Sequence, residues 1–138
     1  MLNLFKSKKK TGLARILVVD DEPDLISTIE CRLSFSQYEV VTAQNGKEGL
    51  EKAASEKPDL IILDTNMPEM NGHEMLERLR KHPDLKQIPV IMCTAICEPE
   101  NISKASSYGI SDYVTKPFDF TELIQKIENA LKEKKRNS

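Results

Sequence analysis

Short apolar runs alternate with amphipathic stretches along the chain from Arg15 onward. Residues 16–19 and 60–63 are uninterrupted runs of Ile, Leu and Val, which are typical of strands buried on both faces of a parallel sheet. Three further strands are predicted at residues 38–43, 89–93 and 112–115. The last of these is short and less apolar, as an edge strand can be.

A helical pattern follows each predicted strand, and residues that start or stop helices mark most of the helix ends. The first four helices are delimited by Pro23, by Asn45-Gly46 and Pro58, by Gly72, and by Pro99 and Gly109. The last helix follows Lys116-Pro117, and its apolar stripe extends to Leu131. Five strands alternating with five helices predict an α/β protein, a flavodoxin-like (βα)5 three-layer sandwich around a parallel five-stranded sheet in the order 2-1-3-4-5.

Acidic residues stand directly after two of these strands, at the edge where open parallel sheets bind ligands. Asp20 and Asp21 follow the first strand, and Asp64 follows the third. In the predicted order those strands are neighbours about 5 Å apart, so we expect the three carboxylates to converge. Carboxylates this close repel one another unless a cation lies among them, and hard oxygen ligands at an open edge favour Mg²⁺.

Lys116 and Thr94 complete the predicted site. Lys116 ends the fifth strand, about 10 Å from the third, a distance that its long side chain can cross. Thr94 ends the fourth strand, which lies between them. A carboxylate, a divalent cation, an ammonium group and a hydroxyl group around one point are the components of phosphoryl transfer, because they supply a nucleophile, charge neutralisation and positioning donors.

Several short motifs occur together in one order and spacing. They are Val18-Val19-Asp20-Asp21-Glu22, Leu63-Asp64-Thr65-Asn66-Met67-Pro68, Gly72 eight residues past Asp64, Thr94-Ala95, and Asp112-Tyr113-Val114-Thr115-Lys116-Pro117-Phe118. In this combination the chain resembles the response-regulator receiver domains, the CheY-like phosphoacceptors of two-component signalling. The resemblance covers residues 14–131. One departure is Ile110, where the family usually has alanine, and it concerns the packing of the loop before the fifth strand.

The resemblance implies a role for each matching residue. Asp64 is the expected phosphorylation site, Asp21 a direct Mg²⁺ ligand, and Asp20 the residue that holds a metal-bound water. Asp64 is also an expected metal ligand, and the backbone carbonyl of Asn66 is another. Lys116 is expected to bind a phosphoryl oxygen.

Two further residues are expected to transmit the signal. Thr94 would hydrogen-bond a second phosphoryl oxygen, and Tyr113 would be the aromatic switch that responds to it. The Lys116-Pro117 bond is cis in many relatives, so a cis bond is expected at Pro117.

The resemblance also implies what the protein does. A histidine kinase or a histidine phosphotransfer protein is the expected phosphodonor, with Mg²⁺ as cofactor. Phosphorylation is expected to switch the surface formed by the fourth helix, the fifth strand and the fifth helix, which then controls a partner protein. We expect a single-domain protein without an output domain of its own. It would be a phosphoacceptor and not an enzyme, although it would catalyse its own phosphorylation and a slow dephosphorylation.

Charge is distributed unevenly. Residues 1–10 carry four lysines, and residues 132–138 carry four bases and one acid; removing these from the totals of 20 bases and 22 acids leaves 12 bases and 21 acids. We therefore expect a flexible basic arm at residues 1–13, an acidic domain at 14–131 and a basic tail at 132–138. An acidic body argues against nucleic-acid binding. No apolar segment indicates secretion or stable membrane insertion, so a cytoplasmic protein is expected.

Other functions remain open at this stage. A Mg²⁺-dependent phosphohydrolase of the haloacid-dehalogenase type also uses an aspartyl nucleophile, but it needs Asp-x-Asp after the first strand, whereas Asp20 and Asp21 are contiguous. An interaction module that is never phosphorylated is a third hypothesis. Flavin or nucleotide binding lacks a glycine-rich loop after the first strand.

The histidines and cysteines have simpler interpretations. His73 lies at a predicted helix start, where a phosphohistidine role is not expected, and His82 is expected at the surface. Cys93 and Cys97 could form a metal pair, but small buried hydrophobic residues are the preferred interpretation, because Cys31 is the only other cysteine.

Overall fold

The computed structural model describes residues 12–95 and 99–136, over which five strands and five helices alternate as predicted. The strands are β1 (Arg15–Val19), β2 (Glu39–Ala43), β3 (Leu60–Asp64), β4 (Val90–Ala95) and β5 (Asp112–Lys116). The helices are α1 (Pro23–Phe35), α2 (Gly46–Glu56), α3 (Gly72–Lys81), α4 (Pro99–Ser106) and α5 (Phe120–Arg136). Residues 1–11 of the predicted basic arm, Cys97, and residues 137–138 of the predicted tail lie outside the described part.

The sheet is parallel throughout, in the order β2-β1-β3-β4-β5, which confirms the predicted flavodoxin-like topology. Leu17 pairs with Ile61, and Ile61 with Val90, so the three central strands are in register. β5 is an edge strand, as its composition predicts. Every strand therefore ends at the same edge of the sheet, where the polar residues of the motifs collect.

Each face of the sheet is covered by helices. On one face, side chains such as Leu17 and Ile61 pack with apolar residues of α2, α3 and α4, including Met75 and Leu76. On the other face, alternate strand residues pack with α1 and α5. Burying one large aliphatic side chain contributes about 1.5–3 kcal/mol, so these two clusters supply the main stabilisation of the fold.

Helix starts are defined by local side chains. Pro23 lies in the first turn of α1, and the Asn45 side chain accepts a hydrogen bond from the Glu48 backbone at the start of α2. Asn71 and Glu74 form a reciprocal capping box at the start of α3, in addition to the predicted helix-starting residue Gly72. These caps fix the direction in which each helix leaves the functional edge of the sheet.

The end of the last helix and the position of Ile110 add to what the sequence predicts. The last helix continues to Arg136, five residues past the end of its apolar stripe, and Lys134 on this extension lies 3.7 Å from the Asp59 carboxylate. Ile110, the departure noted above, packs against the core cluster on the α2, α3 and α4 side. A larger side chain than alanine is therefore accommodated in the loop before β5.

Candidate functional site

The carboxyl ends of β1 and β3 bring three aspartates together. Asp20 follows β1 and Asp64 ends β3; both are buried, with 2% and 5% of their surface exposed, while Asp21 is exposed. Each of the three offers a carboxylate oxygen, and these oxygens lie within 4.8 Å of one another. The convergence expected from the strand order is thus present in the structure.

Lys116 reaches across the sheet edge into this cluster. Its ammonium nitrogen lies 2.9 Å from Asp20 Oδ2, 3.0 Å from Glu22 Oε1 and 3.3 Å from Asp64 Oδ1. The peptide bond between Lys116 and Pro117 is cis. Three carboxylates therefore contact one ammonium group, and with Asp21 beside them the site carries a net charge of −3 when all of its groups are ionised.

These contacts shift the pKa values of the two central groups. Burial, followed by repulsion from Asp20, raises the pKa of Asp64 from 3.8 to about 6, even though Lys116 opposes the shift. Burial alone would lower the pKa of Lys116, but its hydrogen bonds to Asp20 and Glu22 and the charge of Asp64 outweigh burial and raise the pKa above its ordinary value. Asp64 is thus a carboxylate whose negative charge is only partly compensated.

The loops beside the aspartates hold their carboxylates in place. The Glu22 backbone donates to Asp20 Oδ1 at 3.0 Å, and the Asn66 backbone makes a longer contact of 3.4 Å with Asp64 Oδ1. Gly72 leaves no room for a side chain, because a Cβ at this position would overlap the backbone carbonyl of Asp64. The start of α3 therefore packs directly against the end of β3.

Thr94 and Tyr113 lie on one face of the sheet, since Thr94 pairs with Thr115, two residues along the strand from Tyr113. Thr94 is 1% exposed, and its hydroxyl group has no hydrogen-bond partner within the described residues. Tyr113 is 37% exposed, and the Lys126 ammonium lies 5.2 Å from the centre of its ring. The threonine is therefore a buried donor with an unmet bond, and the tyrosine stands partly in solvent.

The donor set at this edge fits a divalent cation. Hard carboxylate oxygens converge from Asp20, Asp21 and Asp64, and after burial the charge of Asp20 is the second cause of the raised pKa of Asp64. A pocket of about 310 Å³ opens beside them, and its lining includes Asp21, Asp64, Asn66 and Lys116. The cluster thus has the ligand chemistry, the excess charge and the space for Mg²⁺ with several of its waters.

A family model described as response regulator receiver domain matches residues 16–128. The chain belongs to this family. Among solved structures, the receiver domain resembles the chemotaxis protein CheY4 of Vibrio cholerae, with a TM-score of 0.81 at 32% identity, covering 86% of this chain and 99% of that one. It also resembles a CheY-like receiver domain protein of Methanospirillum hungatei, with a TM-score of 0.86 at 32% identity, covering 92% and 100%.

Curated relatives of the receiver domain are longer proteins. It is 38% identical over 118 residues to the transcriptional regulatory protein PhoP of Bacillus subtilis, covering 86% of this chain and 48% of PhoP. It is 42% identical over 120 residues to the hybrid signal transduction histidine kinase D of Dictyostelium discoideum, covering 87% of this chain and 8% of the kinase. The chain thus spans about half the length, or less, of these relatives. The family match favours a phosphoacceptor over the phosphohydrolase alternative.

The remaining candidates take other places in the receiver domain. Cys93 is buried in β4, where burial raises the pKa of its thiol, and Cys31 is exposed on α1. His73 is buried in the first turn of α3, and His82, at the end of that helix, is exposed as expected. Among the described helices, none is both long and apolar enough to cross a membrane.

Glu22 is a residue of the site whose role the sequence pattern does not predict. Glu22 appeared only as the end of an acidic motif, whereas the structure shows it as an ion-pair partner of Lys116, 94 positions away. Its place two residues after the buried Asp20 was the available signal. In the structure, Asp20 and Glu22 both accept a hydrogen bond from the Lys116 ammonium group.

Proposed function

We propose that the protein is a phosphoacceptor in a two-component phosphorelay and that Asp64 receives the phosphoryl group from a histidine kinase or a histidine phosphotransfer protein. The observation that carries the proposal is the position of Asp64, buried at the floor of an open pocket with Lys116 3.3 Å away. Family membership supplies independent support.

Transfer begins with attack of an Asp64 carboxylate oxygen on the phosphorus of the donor. The new O–P bond forms as the P–N bond of a phosphohistidine breaks, and the imidazole keeps the electron pair. The same reaction with acetyl phosphate breaks a P–O bond and releases acetate. Since Asp64 must be ionised to attack, its raised pKa of about 6 leaves it reactive at neutral pH.

Charge accumulates on the phosphoryl oxygens, and the site must compensate for it. Lys116 carries a fixed positive charge and is the expected donor to one of these oxygens. The residues that would hold Mg²⁺ are Asp21 and Asp64, with Asp20 through a water and Asn66 through its carbonyl. Bound there, Mg²⁺ would neutralise charge on the transferred group, which the surrounding acids otherwise repel.

The Thr94 hydroxyl group supports a link from the site to the surface. It is buried without a partner among the described residues, so a phosphoryl oxygen on Asp64 would give it its missing hydrogen bond. Drawing Thr94 toward Asp64 would vacate space on the face of the sheet that Tyr113 shares. Tyr113 would then turn inward and reshape the surface of α4, β5 and α5, which is where a partner protein would detect the change.

Because a ligand shifts an equilibrium only by its differential affinity, the active form should exist beforehand as a minor state. Amide NMR with the phosphoryl mimic beryllofluoride tests this step. We expect shifts at Tyr113 and across residues 100–125 in the wild type, and smaller ones in Thr94→Ala. Shifts confined to the loops around Asp21 and Asp64 would rule out the switch.

The direct test of the phosphorylation site uses acetyl phosphate and Mg²⁺. We expect one acid-stable, base-labile phosphoryl group per chain by mass spectrometry, absent in Asp64→Asn and after addition of EDTA. The asparagine variant keeps the shape of the side chain, so loss of labelling reports on the nucleophile and not on folding. Labelling that persists in Asp64→Asn would disprove the assignment.

A further inference from the structure

The Lys116 ammonium group donates hydrogen bonds to Asp20 and Glu22 and forms an ion pair with Asp64. It carries three N–H bonds, and three carboxylate oxygens lie within 3.3 Å of it, one each from Asp20, Glu22 and Asp64. A phosphoryl group on Asp64 needs one of these donors. The phosphoryl group therefore competes with the existing ion pairs for the Lys116 ammonium group.

Exposure decides which ion pair yields. The side chains of Asp20 and Asp64 are 3% and 6% exposed, whereas that of Glu22 is 60% exposed. A carboxylate that loses its partner while buried stays poorly solvated, but one that is already in contact with water is solvated again at little cost. Glu22 is thus the partner that Lys116 can leave most easily.

The Glu22–Lys116 ion pair also separates two cavities. The acidic pocket of about 310 Å³ lies on one side. An apolar pocket of about 460 Å³, lined by Leu25, Phe118 and Phe120, lies on the other, and both residues of the pair line both cavities. The Glu22 carboxylate therefore stands at the border of the acidic pocket, where its charge opposes an arriving phosphoryl group.

We propose that Glu22 is a positioning residue that restrains Lys116 in the unphosphorylated protein, and that phosphorylation requires Lys116 to leave Glu22 for the phosphoryl oxygen. The inference rests on the proposed function of Asp64. In this arrangement Glu22 opposes phosphorylation, and the side chain at this position sets how readily the domain accepts the group.

The test compares Glu22→Gln with the wild type, because glutamine keeps the size of the side chain and removes its charge. At low ionic strength with Mg²⁺, we expect acetyl phosphate to label Asp64 about two- to fivefold faster in Glu22→Gln, the range that an exposed ion pair supports. In a beryllofluoride titration monitored by amide NMR, Glu22→Gln should reach half-saturation at a beryllofluoride concentration lower than the wild type by a similar factor. Loss of a merely structural contact would not make the reaction faster and the binding tighter.

Asp24→Asn is the matched control. Asp24 is an exposed acid in the first turn of α1, two residues from Glu22, and its carboxylate is not among the ion-pair partners of Lys116 in the described structure. The Asp24→Asn substitution removes the same charge as Glu22→Gln, and we expect its labelling rate to equal that of the wild type within experimental error. An equal gain in both variants would mean that general charge and not the ion pair is responsible, and would overturn the proposal.

The remaining outcomes separate this inference from the proposed function. If the wild type is labelled at Asp64 and Glu22→Gln is labelled at the same rate or more slowly, the restraint by Glu22 is wrong while the phosphoacceptor assignment stands. If the wild type is not labelled at Asp64, both fail.

Discussion

The two edges of the sheet differ in how far their charged side chains are compensated by partners of opposite sign. At the amino-terminal edge, Arg15 is buried, with its guanidinium 2.6 Å from Glu39 and its donors also directed at the carbonyl and carboxylate of Glu56. Its backbone N–H donates to Asp59, which lies 3.7 Å from Lys134. At the carboxyl-terminal edge, three carboxylates share the ammonium group of Lys116, and Asp21 adds a fourth acid to the cluster.

The difference separates stability from function within one sheet. At the Arg15 edge two cations, Arg15 and Lys134, pair with three carboxylates, so little negative charge is left without compensation. The Asp64 edge has excess negative charge and, at Thr94, a buried hydroxyl group without a partner among the described residues. A cation and a phosphoryl group would supply what this edge lacks.

Removing Arg15 should have the largest effect on stability. Arg15→Ala leaves Glu39 and Glu56 without their cation, and we expect the free energy of unfolding to fall by about 3 kcal/mol, the lower end for a broken buried ion pair, because both acids are partly exposed. Urea unfolding measures the change, and added Mg²⁺ should not restore it. Lys81→Ala, which breaks the exposed Lys81–Glu77 pair, is the control and should change little. A loss as small as that of the control would contradict the assigned role of Arg15.

Removing Lys116 should lower the free energy of unfolding by less than removing Arg15, by about 2 kcal/mol in metal-free protein. The loss is smaller because Asp64 can take up a proton when the ammonium group is absent. We expect Lys116→Met to recover much of this stability in Mg²⁺, which Arg15→Ala does not. Parallel urea titrations of the two variants with Mg²⁺ and with EDTA make the comparison. Equal recovery of both variants would remove the proposed distinction between the two edges.

The pH dependence of stability should carry the signature of Asp64. With a folded pKa of about 6 against 3.8, Asp64 binds more protons in the folded state between these pH values, so its contribution to the stability of the metal-free protein falls as pH rises from about 4 to about 6 and is level above that. The full pKa shift corresponds to about 3 kcal/mol in the free energy of unfolding. Because solvent in the open pocket screens the charge, we expect a change of about 1–2 kcal/mol. The difference between wild type and Asp64→Asn across pH isolates this contribution. If the wild type instead gains stability relative to Asp64→Asn as the pH rises, the ionised Asp64 carboxylate is stabilised at the site, and the prediction is wrong.

The smallest effect is expected at the exposed Asp21. Asp21→Ala should relieve repulsion and raise the metal-free stability by about 0.5–1 kcal/mol, while weakening Mg²⁺ binding and slowing phosphorylation. Thermal unfolding with and without Mg²⁺ tests both halves. If the variant melts lower than the wild type in EDTA, the acidic cluster is not repulsive as described.

Much of this protein could be predicted from local patterns. Apolar runs, helix-starting residues and the acids after residues 19 and 63 depend on neighbours a few positions apart, so they define the elements and place Asp20, Asp21 and Asp64 at strand ends. The parallel order then follows from the few topologies open to alternating strands and helices. The Asn71–Glu74 capping box is also local and was available in the sequence.

Contacts between side chains that are far apart in the chain were decided only by the tertiary structure. Glu22 meets Lys116 across 94 positions, and Arg15 meets Glu56 across 41, because the fold brings a strand end beside a loop in the first case and beside the end of α2 in the second. Particular side-chain directions close the remaining distance. The missing partner of Thr94 is likewise a property of everything that packs around it. Periodicity shows which face a residue occupies, but ion pairing and desolvation depend on distances of a few ångströms that only the packed structure sets.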